Sequence, residues 1–470
     1  MKPDLPKMKH RPTFFRLLCL INCLAWLSVI VFPSAHAELR ANLLPAAHRQ
    51  DQNSKPGEFD LRLTASLIGH RHQIAVVDFS ADGQFLATWS YREKTTKLWN
   101  TAAGRLIAEV DGTIDFRTWP PIEPERPGVF SPDSHLLVTL RGTTAKVWDA
   151  ATGQLKYSLT GHQADIDSAV FSPNGERLAT SSADGTVRLW SSTTGQLITM
   201  LAVWRVKKIP RWRVVSQFLD IPISIYVSFS SDGRRLLTAV EWESSPAKLW
   251  DVETGRLLAT LDGPTERWGG GKGPAAVKAM FSPDGKLILT ESYSEAWLWN
   301  ASTGGLKDSF LSRGAWARFS PDGKFLAIGS SGETVGILDV ESMDVRIPLA
   351  KTAFFASRNV FSPDGRTLIV NNTLMELPSG RVIARLPLVY RDGGWIQGLL
   401  DFDIVSFQPN SKILMGAHHK AVRFWDSATG QLVIEKPEAR DPALFSPNGK
   451  WLVTTAADKT TALLWEVVTP

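Results

Sequence analysis

The sequence predicts an all-β chain of nine four-stranded antiparallel units closed into one ring. Three observations predict it. A five-residue phrase, Phe-Ser-Pro-Asp-Gly or a near variant, recurs at Phe79, Phe130, Phe171, Phe229, Phe281, Phe319, Phe361, Phe407 and Phe445. In seven of these units a tryptophan follows about 20 residues on, at Trp99, Trp148, Trp190, Trp250, Trp299, Trp425 and Trp465; fixed-period self-similarity of this kind marks a repeat architecture. Finally, each end of the chain carries part of a unit.

Each phrase reads as a tight turn. Phe ends a buried strand, Pro presets φ for the first corner, Asp bonds its own backbone, and Gly takes the position that needs φ > 0. In the third unit the turn after Phe171 leads into Glu176-Arg-Leu-Ala-Thr-Ser-Ser182. Ala183-Asp-Gly185 turns again, and Thr186-Val-Arg-Leu-Trp190 alternates with period two, as a half-buried strand does. After Ser191-Ser-Thr-Thr-Gly195 a fourth strand follows from Gln196 to Leu201. A four-stranded meander of about 40 residues is one blade of a β-propeller.

With these residues in place the chain resembles the WD-repeat β-propeller family over about Asp60 to Val468, residues 60–468 forming the propeller. The third unit carries the fullest signature: Gly161-His162, then Ser182, Asp184 and Trp190. The resemblance implies that His162, Ser182, Asp184 and Trp190 form a structural tetrad, stabilising and not catalytic. Only His70 has a second Gly-His, and Asp458 keeps the turn acid. Leu338 and Met375 replace Trp in the sixth and seventh units, which look closer to the Pro-Asp-Gly repeats of periplasmic Tol-type propellers.

The phase of the two ends predicts how the ring closes. Leu63-Thr-Ala-Ser-Leu-Ile-Gly-His70 matches Leu155-Lys-Tyr-Ser-Leu-Thr-Gly-His162, so the chain begins with an outer strand that has no unit of its own. It ends at Leu463-Leu-Trp465-Glu-Val-Val468 on a third strand with no fourth behind it. Pairing the two removes both open edges, which otherwise invite aggregation, and gives nine blades. The family norm of seven or eight blades is the alternative, with a degenerate unit, the seventh, left outside the ring.

Lys2, Lys7, Lys9, Arg11 and Arg16 precede an apolar stretch from Leu17 to Phe32, and Ser34-Ala35-His36-Ala37 supplies small residues for cleavage. Residues 1–37 therefore read as a secretory signal peptide, the other reading being a retained anchor, since the run is near the lower limit for spanning. Residues 38–59 form a polar, flexible lead, and the expected location is periplasmic or secreted. Both cysteines, Cys19 and Cys23, lie in the leader, so no disulfide is expected. The chain's net charge of +5 loses +4 with the leader (five cations less Asp4), leaving about +1. Overall charge then argues neither for nucleic acid nor for any other anionic partner.

Units differ mainly between the Trp position and the next Phe. Two crossings need 20 positions, Trp299 to Phe319 and Trp425 to Phe445, whereas Trp190 to Phe229 needs 39, Trp99 to Phe130 and Trp250 to Phe281 need 31 each, and Met375 to Phe407 needs 32. Insertions on one face of a repeat protein commonly mark its binding side. In the longest, read as a hairpin about Lys208-Ile-Pro210, period two sets Trp204, Val206, Trp212 and Val214 against Arg205, Lys207, Arg211 and Arg213. A basic face backed by aromatics suits an anionic polymer or envelope lipid; the plainer reading packs the aromatics on the ring and solvates the charges. Trp119, Trp268, Arg391 and Trp395 in the other insertions are interface candidates of the Trp and Arg type. The Gly-rich run at 269–271 lacks the spacing of a phosphate-binding loop.

No catalytic motif is present, and His418-His419, with His70 and His72, lacks the cysteine or acid that a metal site needs. The sequence thus predicts an exported, non-enzymatic, monomeric binding platform without metal or cofactor, for protein partners or an anionic envelope component. A propeller enzyme (lactonase, hydrolase or quinone-dependent dehydrogenase type) and a Tol-like periplasmic accessory are the alternatives.

Overall fold

A computed structural model describes residues 59–90, 92–114, 129–204, 225–240, 246–263, 278–292, 295–311, 316–329, 335–349, 360–370, 373–386, 404–409, 412–417 and 421–468. The leader and lead, residues 1–59, lie outside them apart from Phe59. Among the described residues every element is a strand, and no helix is long and apolar enough to cross a membrane.

The strands form nine small antiparallel sheets, a nine-bladed propeller. In blade 3 the order from outside inward is Leu197–Ala202, Thr186–Ser191, Arg177–Ser182, Ile166–Phe171. Blade 2 departs from the four-stranded expectation. It has three strands, Leu136–Arg141, Thr144–Asp149 and Leu155–Leu159, and its innermost position is held by isolated bridges, Phe130 to Leu137 and Thr113 to Leu140.

The orphan ends meet as expected. Asp60–Leu67 pairs antiparallel with Ala462–Val468, from Asp60 opposite Val468 to Leu67 opposite Ala462, and completes the ninth blade. Apolar clusters then sit between successive blades around the whole ring. At the closing seam Leu67, Val453 and Leu464 of blade 9 pack with Ile74, Phe79 and Trp99 of blade 1. The seventh unit belongs to the ring: Met375 and Leu377 share one cluster with Ile337 and Ile347 of blade 6, and Ile369 and Leu374 share another with Phe407 and Trp425 of blade 8. Seven or eight blades is therefore excluded, because every unit has an apolar neighbour on both sides.

The recurring phrase is a clasp. In each the Ser hydroxyl donates to the acid or amide two residues on, as Ser80 to Asp82 at 2.6 Å, and accepts the N–H five residues on, as from Phe85 at 2.9 Å. Blade 8 has Gln408 instead, whose side chain donates to Gly449 O at 3.2 Å. These turns share one face of the ring, so the meander sends the crossings between blades, and the turns between second and third strands, to the opposite face.

Candidate functional site

The crossing face is where the four long crossings begin, after Ile114, Trp204, Gly263 and Leu386. Its described framework is fastened to the second-to-third-strand turns: Val203 and Trp204 both donate backbone N–H to Gly185 O at 3.1 Å, and Ile166 donates to Gly142 O at 2.8 Å. Gly185 is at φ +84, and a β-carbon there would lie 2.5 Å from Trp204 O, so the close approach needs glycine.

Inward from this face, blade 3 holds its tetrad. His162 Nδ1 lies 2.9 Å from Asp184 Oδ2 and its Nε2 lies 2.8 Å from Thr180 Oγ1, which also accepts the Trp190 indole N–H at 2.9 Å. One proton arrangement satisfies every member: indole to hydroxyl, hydroxyl to Nε2, and Nδ1–H to carboxylate. The hydroxyl is thus Thr180 and not the expected Ser182, whose own hydroxyl donates to Ala164 O at 2.9 Å. A register shift between Ser181 and Ser182 turns Ser182 away. Burial pushes His162 below the usual imidazole value despite Asp184. Burial would raise Asp184, but hydrogen bonds from the Thr186 hydroxyl, the Gln163 N–H and His162 outweigh it and hold the carboxyl at about 2.

Blade 1 builds the same arrangement with Glu93 as the acid, 2.6 Å from His70 Nδ1, with Thr88 2.7 Å from Nε2 and receiving Trp99 Nε1 at 2.8 Å. Blades 2, 4, 5 and 9 keep the indole–hydroxyl half, Trp148 to Thr139, Trp250 to Thr238, Trp299 to Thr290 and Trp465 to Thr454, at 2.8 to 3.0 Å. Blades 6 and 7 lose both partners together, with Ile328 and Leu338 in one and Val370 and Met375 in the other. Replacing both members of a buried pair with apolar groups avoids the orphan that losing one would leave. The recurring Leu-x-Thr or Ile-x-Thr about 10 residues before six of the seven Trp, all but Trp425, where Gly416 stands instead, was the sequence signal for this hydroxyl.

Charge near the crossing face is paired and partly buried. Asp111 takes Lys146 Nζ at 2.6 Å and Arg141 Nη1; burial pushes its carboxyl up and the two cations outweigh this, leaving it below the ordinary range. Lys97, itself buried, meets Glu109 at 2.7 Å. At the seam of blades 5 and 6, buried Glu291 accepts Ala317 N at 2.6 Å and faces Arg318 Nη1 at 3.5 Å. Lys278 stands opposite Glu291 in the sheet; burial, with Arg318 adding to it and Glu291 opposing, pushes its amine down to about 8. Among the described residues no group of three or more His, Cys, Asp or Glu could hold a metal ion.

Of the residues expected to contact a partner, Trp204 alone is described. It is partly buried against the core shared by blades 3 and 4, beside Val203 and Ile225, as the plainer reading of its aromatic face requires. Arg205, Lys207, Arg211, Trp212, Arg213, Trp119, Trp268, Arg391 and Trp395 lie outside the described residues, as do His418 and His419.

A closed ring of meander blades seamed by apolar clusters and pinned by His–Thr–Trp hydrogen bonds defines a β-propeller of the WD-repeat class. Residues 61–100 and 153–191 match the family model "WD domain, G-beta repeat", and stretches of the chain are similar to several longer proteins. It is 25% identical over 261 residues to apoptotic protease-activating factor 1 of Rattus norvegicus, covering 54% of this chain and 18% of that protein. It is 27% identical over 263 residues to periodic tryptophan protein 2 of Arabidopsis thaliana, covering 48% and 27% respectively. With the guanine nucleotide-binding protein subunit beta of Nicotiana tabacum it shares 25% identity over 199 residues, covering 42% of this chain and 49% of that one. The chain thus spans less than half the length of each of these relatives. Among solved structures, the computationally designed Ika8 protein is similar at a TM-score of 0.49 and 19% identity, covering 86% of this chain and 99% of that one.

Proposed function

We propose that this protein is an exported, non-enzymatic platform whose crossing face captures protein partners or an anionic envelope component. One observation carries the reading: among the described residues, the imidazoles His70 and His162 and their partners Thr88, Thr180, Glu93 and Asp184 are held in hydrogen bonds to one another. What distinguishes the blades is the length and composition of the crossings above them, and the longest is basic, with Arg205, Lys207, Arg211 and Arg213 in sequence just past the anchored Trp204. Exposed cations steer anionic partners at little cost to stability. Export rests on the basic, apolar and small-residue pattern of residues 1–37.

Two measurements test it. Reversing the charge of Arg205, Lys207, Arg211 and Arg213 together should abolish capture of partners from the host's envelope fraction without lowering the melting temperature, and capture by the parent chain should weaken with salt. Unchanged capture by the reversed chain at low salt removes the basic segment from the function. Amino-terminal sequencing of the protein recovered from that fraction should begin at Glu38; recovery from the cytosol with its leader intact would overturn export.

A further inference from the structure

Each blade turns its outermost strand to solvent, and among the described residues nothing pairs with that strand's outer edge. An open edge is a template for another strand, and proteins guard it with charge. Seven of the nine outer strands have charged residues in their sequences, among them Arg62, Lys156, Lys307, Arg385 and Lys436. The two that have none are neighbours: Leu197–Ala202 of blade 3 and Leu257–Leu261 of blade 4. The turn entering the blade 4 strand is charged at Asp251, Glu253 and Arg256, whereas the turn entering the blade 3 strand, Ser191-Ser-Thr-Thr-Gly-Gln196, has no charge. Along that strand Leu197, Ile198 and Met200 are 45%, 42% and 52% exposed. Period two sends Ile198, Met200 and Ala202 to one face, while Thr199 and Leu201 face inward, Thr199 meeting Gly255 of blade 4.

We propose that Leu197–Ala202 is the contact through which two copies of this chain associate, the strands pairing antiparallel about a two-fold axis beside Met200. Charge selects the occupant. A two-fold contact is self-complementary, each patch meeting its own copy, so a charged edge brings like charges together while a neutral apolar edge complements itself. In this register Met200 meets Met200, Ile198 of each copy meets Ala202 of the other, and two blades merge into one eight-stranded sheet. The nearest cation is Arg188, which pairs with Met200 from the next strand in. The two Arg188 strands would stand three strand spacings apart, about 14 Å, beyond the roughly 10 Å over which exposed charges act. Lys156 or Lys436, sitting on the edge strand itself, would have no such separation. The pairing replaces the expectation of a monomer and is independent of the crossing-face reading.

The chain has two cysteines, Cys19 and Cys23. On a full-length background carrying Cys19→Ser and Cys23→Ser, Met200→Cys supplies a single thiol at the proposed axis. Leu432→Cys supplies one at a 51% exposed position on the outer strand of blade 8, which contains Glu435 and Lys436. Mild oxidation should give a covalent dimer from Met200→Cys, not from Leu432→Cys. Ile198→Lys in the same chain should abolish the dimer band. Sedimentation of the parent chain should show a dimer, which Ile198→Lys, or Met200→Glu as a second variant, converts to a monomer with an unchanged melting temperature. A parent chain that sediments as a monomer at every concentration, or equal cross-linking at positions 200 and 432, overturns the proposal.

Discussion

Gly104 of the first blade lies so close under Ala65 of the N-terminal strand that a β-carbon at position 104 would sit 2.5 Å from that of Ala65. The same glycine-on-outer-strand contact recurs where Gly153 meets Ala108, Gly304 meets Ala259 and Gly430 meets Ala384. The seam at which the two ends of the chain meet is therefore built like the seams within it. This contact, with the Asp60–Leu67 pairing, commits the ring to nine blades.

Substituting Gly104 tests that seam. Both Gly104 and Gly142 are at φ +57, but a β-carbon at 142 would find nothing nearer than Asp165 Oδ1 at 3.8 Å. Gly142→Ala should cost only the left-handed strain, and Gly104→Ala should cost about 1 to 3 kcal/mol more from overpacking. Denaturant unfolding of the two variants measures the difference; equal losses would show that the seam is open.

The indole–hydroxyl pairs should behave asymmetrically. Thr238→Val leaves the buried Trp250 N–H without its acceptor and should cost about 1 to 3 kcal/mol. In blade 6 the reverse change, Ile328→Thr, should also destabilise, because the new hydroxyl would face Leu338 with no indole to receive. A neutral result for Thr238→Val in thermal or denaturant unfolding would mean that the bond adds nothing.

Acid should loosen the ring before it reaches the carboxylates. His70 and His162 are held below their ordinary value of 6.5, chiefly by burial and against the pull of Glu93 and Asp184. The unfolded chain thus takes up protons the folded chain refuses. Their contribution is fully present above 6.5 and is lost as the pH falls from there through the lowered folded values. Asp184, at about 2 in the fold against 3.8 ordinarily, adds a second loss between those values. The melting temperature should fall between about pH 7.5 and about pH 5, and the fall should flatten in a His70→Gln, His162→Gln double variant. Parallel profiles would contradict this assignment.

Trp204 should act as an anchor. It is partly buried against the blade 3 and blade 4 core, so Trp204→Ala should cost about 1 to 3 kcal/mol, less than a fully buried aromatic. Partner capture below the lowered melting temperature should be retained. Capture lost with an unchanged melting temperature would instead place the indole in the interface.

The sequence by itself determined the repeat, the strand order within a blade and the pairing that closes the ring, and it favoured nine blades; packing of the seventh unit against both neighbours decided that number. These follow from local turn chemistry and period-two alternation, and every blade restates them within about 40 residues. Only the tertiary structure decided which hydroxyl completes the tetrad. Thr180 and Ser182 share a face by period two, and the register shift between Ser181 and Ser182 that separates them is set by pairing with the neighbouring strand. It also decided that Glu93 serves in blade 1 as Asp184 does in blade 3, its carboxylate lying 2.6 Å from His70 Nδ1. The glycine contacts between blades were likewise hidden, since each joins residues about 40 positions apart whose approach depends on how neighbouring sheets pack. Local rules specify a blade, but the fit of one blade against the next arises only when apolar faces from distant segments are buried together.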